Sequence, residues 1–439
     1  MSSSAADDNV VAKIIDSGGV SGQQILVVGL CMLLNMVDGF DITAMAIVAS
    51  AVSTDLQLTP DRLGWVFSFA LAGMMSGAML LTPVTDMIGR RKMIIFSVVL
   101  VGSSVVLTAM ANTLTQFVIL RFISGVGAGA MLASQAALAA EYSPEKYRSF
   151  SVVLVTLGYP AGAMMTSVAA GYIMPEWGWR GMFWFGGIVT LAMSTVAFLL
   201  IPESLKFVIQ RGGTNALDQA NTILRKMKKA PMAKLPALEE RVGRGFFAAM
   251  AGLLSKDLRG KTIVLWLTFF LCFSTLYFLL SWIPKLMEDS GFSVETGRDA
   301  FFLFNLGAVV GVVLLGWLSI SIKLTNLVCS FLVASAVAMM IFAMAPAEKN
   351  LLLTLIFIIG LLQQGGFTGL YGVAAKAYPT AVRSTGIGWA IGLGRLGAVF
   401  GPAAAGYLIF SGLDMSANFI LFAVPMAIGG LTAFRLHIR

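Results

Sequence analysis

Asp38 and Asp41 stand three residues apart inside residues 24–48 (QILVVGLCMLLNMVDGFDITAMAIV), a stretch with no other charge. An ionised carboxylate at a bilayer centre costs about 2.5–3.5 kcal/mol even on lenient insertion scales, so such a charge is neutralised, paired or hydrated. Three residues apart on a helix, the two acids share one face and can pass a proton or a cation along a path through a membrane. Arg121 and Arg395 are the two cations deep inside other apolar stretches. Guanidinium suits bidentate capture of a carboxylate because its donors match the two oxygens. The same groups equally suit pairing with Asp38, Asp41 or a helix end, and the sequence leaves both uses open.

Other chemistries have little to work with. The chain has one His, at position 437, and Cys31, Cys272 and Cys329 all lie in apolar segments, so neither a metal site nor a disulfide framework is expected. Gly125, Gly127 and Gly129 form a GxGxG without the strand, turn and downstream acid of a dinucleotide site, and no GxxxxGK[ST] occurs. With no nucleophile–base set either, an enzyme is not expected, and no cofactor beyond a coupling proton.

The elements that must hold these groups are membrane spans. Hydrophobic residues make up 58% of the 439 and charged ones 12%, against about 45–50% and 25% in soluble proteins. Stretches long enough to cross about 30 Å of hydrocarbon occur at 24–48, 62–84, 93–111, 115–140, 149–173 and 181–201, then at 262–284, 299–319, 325–345, 350–374, 384–410 and 416–435. Between the sixes, residues 202–260 are polar and read as one or two amphipathic surface helices. The expected division is a tail (1–22), a six-helix bundle (23–201), a central loop (202–260), a second bundle (261–435) and a tail (436–439).

With both termini on the cytoplasmic side, 23 of the 30 Lys and Arg fall in inward loops and five (Arg62, Arg180, Lys285, Arg298, Lys349) in outward ones. That bias is the positive-inside rule, and it makes the net charge of +8 no argument for nucleic acid. The N-terminus lacks a signal-peptide pattern, so the first span is expected to be retained. An internal repeat ties the halves together: EYSPEKYRS with Pro144 and Arg148 recurs as AYPTAVRS with Pro379 and Arg383, at an offset of 235 that also sets Gly162 on Gly397. Parallel six-span repeats around a central cavity describe a transporter.

Residues 82–92 (TPVTDMIGRRK) and 121–129 (RFISGVGAG) resemble the loop 2–3 and span 4 signatures of the major facilitator superfamily. DGFD at 38–41, YPTAVRSTGIG at 378–388 and GLGRLGAVFGP at 392–402 narrow the resemblance to its aromatic acid:proton symporters, of the 4-hydroxybenzoate, benzoate or muconate type. Two departures stand out. Thr82 replaces the usual first Gly, and Ile320 stands in the loop 8–9 sequence GWLSISIKLTN where an Asp is expected.

The resemblance implies an all-α major facilitator fold of twelve spans in the bacterial inner membrane. It also implies import of a small aromatic or related unsaturated carboxylate, driven by protons through Asp38 and Asp41. Which acid carries the proton stays open, with Asp41 favoured. Arg395 and Arg121 become substrate ligands or partners of those acids. Polar and aromatic residues suited to meet a planar ring are Asn35, Tyr159, Tyr277, Trp282, Asn305, Gln363, Gln364 and Tyr371. Asp86, Gly89, Arg90, Arg91, Lys92 and Glu141 are expected to gate at the inward face, with Arg148 and Arg383 as anchors in the two repeats. The lipid bilayer and the substrate are the expected partners, and a monomer the working unit. Two other readings fit parts of the chain: a proton-driven exporter of drugs or organic cations, and a membrane sensor of aromatic acids.

Overall fold

The computed structural model describes residues 11, 13–236, 253–255, 258–378 and 382–435, without the side chains of Arg383, Ser384 and Arg435. The chain is an all-α membrane protein. Its first half comprises α1 (Gly22–Ile47), α2 (Ala49–Asp55), α3 (Pro60–Ile88), α4 (Arg90–Ala109), α5 (Leu114–Tyr142) and α6 (Glu145–Leu200). After the short α7 (Leu205–Arg211) and α8 (Ala216–Lys226) come α9 (Arg259–Asp289), α10 (Val294–Leu318), α11 (Leu324–Met344), α12 (Lys349–Ala377), α13 (Arg383–Phe410) and α14 (Met415–Arg435).

Eleven helices among the described residues are long and apolar enough to cross a membrane. One of them counts twice. α6 has 56 residues, about 84 Å if straight and far more than a bilayer needs. It is kinked at Gly178, whose φ of 60° only glycine adopts cheaply, and this divides it between the stretches 149–173 and 181–201. Twelve spans result, six on each side of the central connection. The amphipathic helices expected in that connection are α7, which buries Leu205, Phe207, Val208 and Ile209, and α8, which buries Ala220 and Leu224.

Local sequence explains where the helices begin. Ser21 and Gln24 form a reciprocal capping box at the start of α1, with Ser21 N–H donating to Gln24 Oε1 at 2.9 Å and Gln24 N–H to Ser21 Oγ at 3.3 Å. Pro60 opens α3, and Gly89, at a φ of 102°, makes the turn between α3 and α4.

The two halves pack alike. α1 lies on the first part of α6, α3 on α5, and α4 on the second part of α6, while in the second half α9 lies on α13, α10 on α12 and α11 on α14. Small residues permit this where lipid offers no hydrophobic drive. Gly162 sits against the Met36 backbone and its repeat counterpart Gly397 against the Phe270 backbone. Between halves, contact runs through α3 with α13, α6 with α10 and α1 with α9.

Candidate functional site

The two acids of α1 meet different surroundings. Asp41 is fully occupied: Arg121 on α5 donates to Oδ1 at 2.8 Å and to the Asp41 carbonyl at 3.2 Å, and Ser124 Oγ donates to Oδ2 at 2.7 Å. Both charged residues are 1% exposed, and the guanidinium also lies 5.7 Å from the Phe183 ring centre. Asp38, also 1% exposed, has no hydrogen-bond partner for either carboxylate oxygen. One turn of helix therefore separates a locked ion pair from an unpaired acid.

Asp38 faces a cavity of about 150 Å³ between the two halves. Arg395 of α13 faces the same cavity, and among the described residues it makes no ion pair and no hydrogen bond. Rings supply much of the wall from the second half. Phe273 and Phe367 meet edge to face at 4.7 Å, Tyr277 stacks near Phe273 at 6.1 Å, and Tyr371 stands edge-on to Phe367 at 5.4 Å. A dry cavity on the order of 150 Å³ is known to hold a benzene ring, so one aromatic ring fits such a space. The arrangement offers a planar apolar slot, a guanidinium for a carboxylate and an acid for a proton.

The other expected ring contacts divide. Asn35, Tyr159, Asn305 and Gln364 join the wall with Tyr277 and Tyr371. Asn35 Nδ2 donates to the Val155 carbonyl at 2.7 Å, and Asn305 Nδ2 to Phe301 at 2.9 Å. Gln363 lies off the wall, its Oε1 accepting from Ser335 at 3.2 Å. Trp282 also lies away from it, donating from Nε1 to the Pro402 carbonyl at 3.0 Å. Arg121 is not on this wall but borders a smaller recess shared with Tyr159 and Tyr277. Sequence inspection missed Ser124, Phe273, Phe304 and Phe367. Ser124 had a signal in its place one turn after Arg121, whereas a phenylalanine within an apolar helix carries none.

The end of the cavity toward Pro60 is closed by contact between halves. A Cβ added at Gly64 would stand 2.8 Å from the Pro402 carbonyl oxygen, and Gly64 and Gly406 meet backbone to backbone. Beside them Ser68 Oγ donates to the Val399 carbonyl at 2.6 Å, Phe67 meets Trp282 edge to face at 5.4 Å, and Arg298 of α10 lies against Gly171 of α6.

At the opposite end, Arg90 pairs with Asp86 at 2.8 Å and Glu141 at 3.4 Å, and Ser204 Oγ donates to Glu141. Gly89 sits against the Glu203 carboxylate, whose Oε1 also accepts from Arg91 N–H at 3.1 Å. These residues form one network joining α3, α4 and α5 to the start of the central connection. Arg148 is exposed with no ion-pair partner among the described residues, and the Arg383 side chain lies outside them. In the second half Ile320 is 82% exposed, so no acid answers Asp86 there.

Comparison with known proteins gives a consistent result. The chain matches the family model described as Major Facilitator Superfamily over residues 31–348 and again over 265–438. It is 30% identical over 429 residues to the 4-hydroxybenzoate transporter PcaK of Pseudomonas putida, covering 96% of this chain and 95% of that one. To the benzoate transport protein of Acinetobacter baylyi it is 27% identical over 434 residues, covering 98% and 93%. Among solved structures, that of a D-xylose-proton symporter matches with a TM-score of 0.74 at 18% identity, covering 94% of this chain and 97% of that one. At such identity the structural likeness concerns the fold alone.

Proposed function

The chain belongs to the major facilitator superfamily, and from that premise we propose that it imports small aromatic carboxylates together with protons by alternating access. It is a multi-pass membrane transporter and not an enzyme. The substrates we assign are benzoate-like and hydroxybenzoate-like acids, the compounds named for its relatives. The observation that carries this reading is the placement of Asp38 and Arg395, both unpaired, on one cavity walled by aromatic rings.

The mechanism follows from charge balance. Asp41 has both oxygens engaged by Arg121 and Ser124, so it holds the bundle together and is not the group we assign to the proton. Asp38 is the proton carrier. Ionised, it draws the Arg395 guanidinium and repels an incoming carboxylate. Protonated, it frees Arg395 to pair with the substrate anion while the ring slots between Phe273, Phe367 and Tyr371. Substrate and Asp38 thus compete for one cation, and that competition couples the two fluxes. The close approach of Gly64 and Gly406 makes this a state shut on the side of Pro60 in the transport cycle. The surplus of Lys and Arg in loops on the side of the central connection supports placing both termini in the cytoplasm of a bacterial inner membrane. An exporter of organic cations fits less well, because an unpaired guanidinium in the cavity repels such a ligand.

The test is uptake of labelled 4-hydroxybenzoate, benzoate and muconate into proteoliposomes, with and without a protonophore, for the natural chain and for Arg395→Ala. Uptake of at least one acid should collapse with the protonophore and with Arg395→Ala. Accumulation that ignores the proton gradient, or that survives loss of Arg395, would overturn the proposal.

A further inference from the structure

Away from the central cavity, two adjoining recesses lie where α7 and α8 fold back against the ends of α4 and α6. One, of about 650 Å³, is bordered by Arg91, Asp218, Lys226 and the apolar Leu199, Leu200 and Ile201. The other, of about 540 Å³, is bordered by Lys92, Arg211 and Gly213, and shares Arg91, Glu203 and Gln219 with the first. Together they form a groove that mixes cations with apolar side chains.

The charges in this groove do not cancel. Arg91, Lys92, Arg211 and Lys226 outnumber the two acids, Glu203 and Asp218. Glu203 turns Oε1 to the backbone N–H groups of Arg91 and Ser204, at 3.1 and 2.9 Å, rather than to a cation of the groove. Arg91 donates through one terminal nitrogen to the Phe198 carbonyl at 2.7 Å, while its Nε is shielded from solvent with no partner. The apolar side of the groove continues onto outward-facing Phe198 and Leu199, which are 58% and 70% exposed. Those two side chains end a membrane-spanning helix, so the cations sit at the boundary between hydrocarbon and water.

We propose that this groove holds the phosphate headgroup of an anionic phospholipid, with its acyl chains lying along Phe198 and Leu199. A soluble anion would gain from the cations but nothing from the apolar wall, whereas a lipid gains from both. Basic recesses between spans near a membrane face are suited to such headgroups. The site lies one residue from Arg90, so an occupied groove bears on the Arg90–Glu141 network through Arg91 and Glu203. This goes beyond the transport reading and does not depend on the substrate.

The experiment is native mass spectrometry of the full-length protein in detergent, titrated with phosphatidylglycerol, phosphatidylcholine or inorganic phosphate. Phosphatidylglycerol should be retained in preference to phosphatidylcholine. Its affinity should fall about fivefold for each cation removed by Lys92→Gln, Arg211→Gln and Lys226→Gln. Arg225→Gln with Lys228→Gln, on the same helix end but off the groove, should leave it essentially unchanged. Thermal unfolding of each variant checks folding, and the exposed Lys226→Gln alone serves if the triple variant is unstable. Equal retention of the two lipids, unchanged affinity in the groove variants, or displacement of lipid by phosphate at equal concentration would overturn the proposal. Because no substrate enters the measurement, its failure is separable from failure of the transport reading.

Discussion

Arg121 meets Asp41 at 2.8 Å with both side chains 1% exposed, while Asp38 on the neighbouring turn of α1 has no partner for either oxygen. Removing one member of a buried ion pair strands the other charge and costs about 3–5 kcal/mol. Arg121→Ala should therefore lower the unfolding temperature and the yield of folded protein sharply. Asp38→Asn removes an unpaired buried carboxylate and should leave the unfolding temperature unchanged or raise it. Thermal unfolding in detergent ranks the two, and equal stability would mean that the pair contributes no net electrostatic stabilisation.

The same asymmetry separates coupling from binding. Asp38→Asn mimics the protonated acid, so it should abolish concentrative uptake yet preserve exchange of labelled for unlabelled substrate across the membrane. Asp41→Asn disturbs the Arg121 and Ser124 contacts and should depress both activities. Paired uptake and exchange assays in proteoliposomes read this directly. Exchange lost in Asp38→Asn and kept in Asp41→Asn would reverse the two roles.

At the face carrying Arg90, the two acids contribute unequally. Asp86 is 66% exposed in its side chain and Glu141 18%, and Glu141 also accepts from Ser204. Exposed pairs contribute about 0–1 kcal/mol, so Asp86→Asn should shift stability by less than about 1 kcal/mol. Glu141→Ala leaves Ser204 without its acceptor and Arg90 with only the exposed Asp86, and its loss should exceed that of Asp86→Asn by about 1–3 kcal/mol. Chemical or thermal unfolding of the two variants side by side checks the order.

Much of this architecture was legible because each span is an apolar run bounded by charge, and because the repeat that sets Gly162 on Gly397 marks two backbone contacts, on Met36 and Phe270. The same offset sets Arg395 on Pro160, and both line the cavity, so the repeat also locates the site while showing that its charges are not duplicated. Spacing placed Asp38 and Asp41 on one face but could not show which met Arg121, a residue 80 positions away from Asp41 on another helix. Gln363 and Gln364 illustrate a second limit. A rotation of about 100° per residue turns one toward Ser335 and the other toward the cavity, and adjacent identical residues give no phase. Phe273 and Phe367 escaped notice because an aromatic wall in an apolar helix has the same composition as a lipid-facing one.

Gly64 and Gly406 close the cavity on the side of Pro60 only because neither carries a side chain. A large residue there cannot be absorbed, since the atoms in the way are the Pro402 carbonyl and the backbone of the opposite helix rather than flexible side-chain ends. Gly64→Trp should therefore hold α3 and α13 apart and shift the population toward the state open on that side, blocking transport while leaving the two halves folded. A cysteine placed at Asn305 on the cavity wall, in a background without the native cysteines, reports the change. A membrane-impermeant thiol reagent added from the Pro60 side should label it at least tenfold faster in Gly64→Trp than in the parent, a shift of about 1.4 kcal/mol in the opening equilibrium. Unchanged labelling with unchanged transport would show that the contact between Gly64 and Gly406 is not the closure point.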